Sequence, residues 1–140
     1  MGPGSGDSIS IRLSNDTEMV AFARLVLRHT LEPLDDLQDP LFYGAFTEVV
    51  TNAIEEHRRL GIAHDVEVRV SLGGRPEIAV RDHGQGFDPN MGSDPQPEPQ
   101  SESGRGLVIA RSVVPGMRIE SSPVGSMVFL PYPVRSEPAE

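Results

Sequence analysis

Hydrophobic positions recur along this chain with two periods, and the switches between them divide it into elements. Ile9, Ile11 and Leu13 alternate with Ser8, Ser10 and Arg12, the period of a half-buried strand. Asn15 with Glu18 three residues later has the form of a capping box and predicts a helix to about Leu31, with Met19, Phe22, Ala23, Val26 and Thr30 on its inner face. Pro33 disfavours helix at Glu32 and ends it. Asp39-Pro40 is a cap and first-turn pair for a second helix. Phe42, Ala45, Phe46, Val49 and Ala53 recur at helical spacing and face the core, Gly44, Glu48, Asn52, Glu56 and Arg59 fall on another face, and Gly61 closes the helix.

Period two then returns. Val66, Val68, Val70 and Leu72 alternate with Glu67, Arg69 and Ser71, Gly73-Gly74 turns the chain, and Glu77 to Arg81 runs back as the next strand. Phe87 to Ser103 holds four prolines in seventeen residues, several acids and almost no apolar side chains, and is expected to be mobile. SGRGLVIARSVV reads as a glycine-rich turn opening a helix from about Arg105 to Val114, closed by Pro115-Gly116. Met117 to Ser121 and Ser126 to Leu130 are strands joined by a turn at Pro123 to Gly125, and the tail from Tyr132 onward is expected to fray. The order strand, helix, helix, strand, strand, loop, helix, strand, strand suits a two-layer α/β sandwich. Its sheet is mixed and mainly antiparallel, with helices on one face and the other face solvated or used for association.

A chain of 140 residues fits one domain, taken as residues 8–134, with 135–140 as a tail and MGPGSG as an expression-tag remnant. The absence of cysteine excludes disulfides and thiol catalysis. No stretch is long and apolar enough to cross a membrane and no signal peptide is visible, so a cytoplasmic protein without a membrane partner is expected. The net charge of −9 disfavours nucleic acid as a direct partner. It also requires that any phosphorylated ligand be met by a metal ion, backbone N–H groups or local arginines.

Three stretches carry candidate chemistry. Glu48 and Asn52, four apart on the second helix, project from one face about 5–6 Å apart at Cβ. A carboxylate there can take a proton and an amide oxygen can ligate a hard cation such as Mg²⁺, while a solvated helix face explains the same residues. Asp82-His83-Gly84-Gln85-Gly86 stands at a strand end, where Asp82 can accept from an amino group and glycines let a ligand approach backbone; an ordinary turn has the same composition. Gly104-Arg105-Gly106 stands at a helix start, where free N–H groups and the helix dipole favour phosphate; a tight loop entering a helix is the alternative. His29, His64 and His83 have no metal-ligand spacing and are expected in ordinary surface or turn roles.

Together, in this order and on these elements, the three stretches resemble the nucleotide site of the GHKL ATPases, and within them the bacterial anti-sigma-factor serine-protein kinases. TEVVTNAI resembles the family's N box, RDHGQGFDP its first glycine box and SGRGLVIA its second, with residues 87–103 where the family has its ATP lid. The resemblance implies ATP with Mg²⁺: Asn52 on the metal, Asp82 on the adenine amino group, Gly84 and Gly86 admitting the nucleotide and hinging the lid. It further implies Gly104, Arg105 and Gly106 at the phosphates, Ser126 near adenine and Glu48 as catalytic base. The implied partners are an anti-anti-sigma protein of STAS type, phosphorylated on serine, and a sigma factor held in a partner switch, with a homodimer expected. The chain departs from the pattern where relatives carry histidine four residues after the asparagine: here Glu56 stands there and His57 follows. A carboxylate near phosphates repels them unless it faces away or meets Arg59. The competing readings are a nucleotide-holding regulatory module with little transfer and a kinase domain cut from a larger phosphatase-linked or sensor regulator.

Overall fold

The computed structural model describes residues 7–33, 39–84 and 102–133, with side chains from residue 107 onward in the last stretch. Five strands and three helices follow the expected order: β1 (Ser8–Leu13), α1 (Met19–Leu31), α2 (Pro40–Leu60), β2 (Val66–Ser71), β3 (Glu77–Asp82), α3 (Glu102–Val113), β4 (Arg118–Ser122) and β5 (Gly125–Pro131). The strands form one sheet in the order β1-β2-β3-β5-β4. Each described pairing is antiparallel, so the parallel component of the expected mixed sheet does not occur among the described residues.

The register explains which sheet face is covered. Val68, Val80, Val128 and Ile119 stand opposite one another across β2, β3, β5 and β4, and all four are buried. One residue over, Arg69, Ala79, Phe129 and Arg118 form the next row and belong to the open face. Alternation along a strand sends neighbours to opposite faces, so one row packs under the helices while the next meets solvent. On that open face the Arg118 guanidinium lies 4.1 Å from the Phe129 ring centroid and 3.1 Å from Glu77.

The second helix is the inner one. Asp39 caps it by accepting from the Leu41 N–H at 3.0 Å, with Pro40 in the first turn. Phe42, Ala45, Phe46, Val49 and Ala53 are buried as expected, joined by Tyr43, Val50 and Ile54. Its end is a Schellman motif: Gly61 is left-handed, the Ile62 N–H donates to the His57 carbonyl at 2.8 Å and the Gly61 N–H to that of Arg58 at 3.3 Å.

Three expectations are corrected. Asn15 does not cap α1; Asp16 Oδ1 accepts the Glu18 N–H instead, and the Asn15 amide donates to the Ile62 and His64 carbonyls, each at 2.9 Å. The two carbonyls of the α2–β2 loop offer that amide a pair of partners. The buried stripe of α1 is Val20, Ala23, Leu27 and Leu31, with Phe22 left 46% exposed. Apolar residues lie on two sides of this helix, so periodicity alone cannot choose between them. Finally, Tyr132 is fully buried rather than frayed. Its ring packs edge-on against Phe42 at 4.8 Å, its N–H donates to the Pro76 carbonyl at 2.9 Å, and its own carbonyl accepts from Arg75.

Candidate functional site

Asp82 is the last residue of β3, and its side chain turns to the helix-covered face because period two continues from Ile78 and Val80. It is 8% exposed and held at both oxygens: Oδ1 accepts the Gly84 N–H at 2.8 Å, and Oδ2 accepts the Ser126 hydroxyl at 2.7 Å. Ser126 stands opposite Asp82 in the β3–β5 register, which is why the two meet. A carboxylate has about four lone-pair positions. Two are committed, and the others can accept a donor from outside the fold.

Gly84 is buried under α2. A Cβ added there would lie 2.7 Å from Glu56 Cγ and 3.2 Å from both Asp82 Oδ1 and Glu56 Oε2, so no larger residue fits without moving the helix side chain or the carboxylate. Gly125, not among the expected site residues, is equally constrained: its φ is +150°, and a Cβ would fall 2.4 Å from the Asp82 carbonyl oxygen. The sequence marks it only as the end of a turn, since the approach comes from a strand residue 43 positions away in the chain.

At the point of departure, Glu56 pairs with a neighbour. Glu56 Oε1 accepts from Arg59 Nη2 at 2.8 Å and from Nε at 3.3 Å, while its stem lies over Gly84. The arginine is 62% exposed, so water screens the pair and it contributes little stability. What it does is turn the carboxylate. Asn52 and Glu48 follow one and two turns earlier on the same stripe of α2, so Glu48 lies about 12 Å along the axis from Glu56. Asn52 is half-buried. Glu48 is exposed at the rim of a cavity of about 530 Å³ lined by Arg24, Arg28, Pro40, Tyr43, Gly44 and Thr47. Arg24 is tethered there by donating to Thr47 Oγ1 at 3.2 Å.

His57 is the site-adjacent residue that motif reading did not assign. It is completely buried. Its Nε2 lies 2.8 Å from the His83 backbone nitrogen, and Nδ1 lies 2.9 Å from both Asn15 Oδ1 and the His64 carbonyl. A backbone N–H only donates, so Nε2 is the unprotonated acceptor and Nδ1 carries the proton. His83 itself stacks on His64 with centroids 4.5 Å apart. Burial, then the neighbouring His64 and Arg81, lower its pKa below the ordinary histidine value; Glu67 opposes them more weakly.

The structure therefore brings Asp82, Gly84 and Ser126 into contact and sets the Glu48–Asn52 helix beside them through Glu56. The third stretch belongs to α3, which lies against α2. Its helix begins at Glu102, so Gly104, Arg105 and Gly106 belong to helical backbone instead of a turn before it, and Glu102 and Ser103 leave the expected lid. Their side chains, Gly86 and residues 87–101 lie outside the described residues.

The buried Asp82 carboxylate keeps acceptor capacity for a donor from outside the fold, and Gly84 and Gly125 stand where a Cβ would collide with Glu56 and with the Asp82–His83 backbone. Among the described residues no cluster of three histidine or acidic side chains could hold a metal by itself. A Mg²⁺ here would need ligand phosphates besides Asn52, which is how that ion is commonly bound. No helix of the described residues is long and apolar enough to cross a membrane.

Comparison with known proteins identifies the family. The profile of the histidine kinase-like ATPase domain matches residues 12–131. Among solved structures, the crystal structure of the RsbU and RsbW domains of Rv1364c from Mycobacterium tuberculosis is similar, with a TM-score of 0.58 and 20% identity over 90% of this chain. The chain covers 31% of that longer chain, and at this identity the likeness speaks for the fold. No curated protein matches the chain. With the profile spanning nearly every described element, the chain belongs to the histidine kinase-like ATPase domain family.

Proposed function

We propose that this domain binds Mg-ATP and acts as an anti-sigma factor with serine/threonine-protein kinase activity. It phosphorylates a serine of an anti-anti-sigma partner and sequesters a sigma factor when that partner is modified. The observation that carries the reading is the Asp82 carboxylate. It is buried, fixed at both oxygens by Gly84 and Ser126, and retains lone pairs for an adenine amino group. Glu48 at the rim of a cavity and Asn52 one turn away on α2 support transfer beyond binding. The RsbW domain in the similar structure supports the sigma-regulator context.

In this mechanism Asp82 selects and orients the base. Mg²⁺ would be held by Asn52 together with phosphate oxygens, and when bound it neutralises charge on the transferring group. Glu48 accepts the proton of the partner's serine hydroxyl as its oxygen bonds to the γ-phosphorus and the bond to the ADP oxygen breaks. The chain's own contribution is positioning and proton acceptance, which is most of what phosphoryl transfer asks of a protein. A phosphate adds close to two negative charges to the partner's surface and so weakens its contacts with acidic surroundings; the kinase carries −9 itself.

A second reading is a domain that holds nucleotide and transfers little phosphate; the Glu56 carboxylate beside Gly84, its charge only partly offset by the exposed Arg59, favours it. Incubation with labelled ATP, Mg²⁺ and candidate anti-anti-sigma proteins separates the two. Phosphoserine formation that Glu48→Ala abolishes while ATP binding persists is the kinase outcome. ATP binding without transfer to any partner leaves the module.

A further inference from the structure

Asp82 is fastened to the sheet, through Ser126 on β5 and through its own turn at Gly84. Glu48 and Asn52 ride on α2. A site divided between a strand end and a helix works only if the two keep a fixed offset, because a directional hydrogen bond weakens steeply with misalignment. His57 spans that division. It belongs to α2, its backbone carbonyl closes the helix, and its Nε2 accepts the N–H of the residue that follows Asp82. On its other side Nδ1–H is divided between Asn15 and the His64 carbonyl, while Arg58 donates to the Asn15 carbonyl at 3.0 Å. The β1–α1 loop, the α2–β2 loop and the β3 exit thus converge on one buried ring.

We propose that His57 is a positioning residue for base recognition: its Nε2 lone pair, aimed at the His83 N–H, sets the Asp82–Gly84 turn against α2 and thereby fixes which purine the site accepts. The proposal rests on the ATP-binding reading above. It uses the length of the imidazole. Nε2 is three bonds from Cβ, a reach that the Gln carbonyl oxygen reproduces and Asn does not. Asn reproduces Nδ1 instead and keeps the bonds toward Asn15 and His64.

The test compares wild type, His57→Gln and His57→Asn by hydrogen exchange of the His83 amide without nucleotide, then by titration with Mg-ATP and Mg-GTP, with thermal unfolding to confirm the fold. In wild type and His57→Gln the His83 amide is protected, and the ATP affinity of the Gln variant stays within about threefold. In His57→Asn exchange accelerates and ATP affinity falls about tenfold, as does the preference for ATP over GTP, the scale of one misdirected hydrogen bond to a charged group. Overall stability alone would not move the ATP-to-GTP ratio. A folded His57→Asn protein with wild-type exchange and ratio overturns the proposal. Should His57→Asn fail to fold, the Gln variant decides: a folded His57→Gln protein that has lost the ATP preference overturns it equally. Wild type that binds neither nucleotide defeats the ATP reading itself, a different failure.

Discussion

Replacing Asp82 by asparagine separates what the carboxylate does for the fold from what it does for a ligand. The amide keeps an oxygen at the Oδ1 position, so the Gly84 N–H retains its acceptor at 2.8 Å. At the Oδ2 position the amide NH₂ replaces an acceptor 2.7 Å from Ser126 Oγ, and the serine hydroxyl turns to accept. Both buried bonds persist, each reduced from a charge-assisted to a neutral one, a loss of about 1 kcal/mol apiece that the removal of a buried charge partly offsets. Unfolding free energy should therefore fall by no more than about 2 kcal/mol. The nucleotide meets a different surface. The face that offered lone pairs to an adenine amino group now presents a donor to a donor, forfeiting a hydrogen bond to a charged group worth about 1.5–3 kcal/mol. That converts to about 10- to 150-fold weaker ATP binding. Urea denaturation and a Mg-ATP titration of the same preparation measure the two quantities. A stable Asp82→Asn protein that binds ATP as tightly as wild type would refute the assignment of Asp82 to the base.

Three further outcomes follow from the packing and the charges. Tyr132→Ala should cost about 3–5 kcal/mol by chemical denaturation, because it empties a fully buried site against Phe42 and Tyr43; a loss under 1 kcal/mol would mean that the chain end does not close the core. Glu56→Gln should tighten Mg-ATP binding by about threefold, equal to about 0.6 kcal/mol of relieved repulsion in high-dielectric surroundings, and weaker binding would show that the Glu56–Arg59 orientation matters more than its charge. Because burial first, then His64 and Arg81, depress the folded pKa of His83 below 6.5, the unfolded chain binds more protons as pH falls. The stability His83 contributes is thus present above pH 6.5 and lost as pH drops through its folded pKa. His83→Gln should flatten the fall in unfolding free energy below pH 6.5, and identical slopes in both proteins would contradict this.

The sequence carried the order of elements because period-two and helical patterns switch sharply at Asp39-Pro40, Gly61 and Gly73-Gly74. Resemblance alone suggested that Asp82 and Ser126 lie near one another, and their contact was not legible, since it joins residues 44 apart and depends on β-sheet register. Four further features were not legible. The inner face of α1 is ambiguous where Phe22 and Leu27 are equally apolar, and only the sheet beneath decides. Tyr132 follows a proline near the chain end, which reads as fraying, yet the gap beside Phe42 draws the ring in. His57 reads as one more charge in EEHRR, and its burial becomes visible only when Asn15, His64 and His83 arrive from three separate loops. Gly125 is similar: a turn glycine in the sequence, and in the fold the one residue type that lets β5 pass the Asp82 carbonyl.

The central claim is that the Asp82 turn and the Glu48–Asn52 helix serve one Mg-ATP molecule. Isothermal calorimetry of the folded protein with Mg-ATP, with and without excess EDTA, tests it most directly. One saturable site per chain, weakened when the metal is removed and again by Asn52→Ala, is the predicted result. Absence of any binding heat at millimolar ATP, at two temperatures so that a zero-enthalpy coincidence is avoided, would contradict the account.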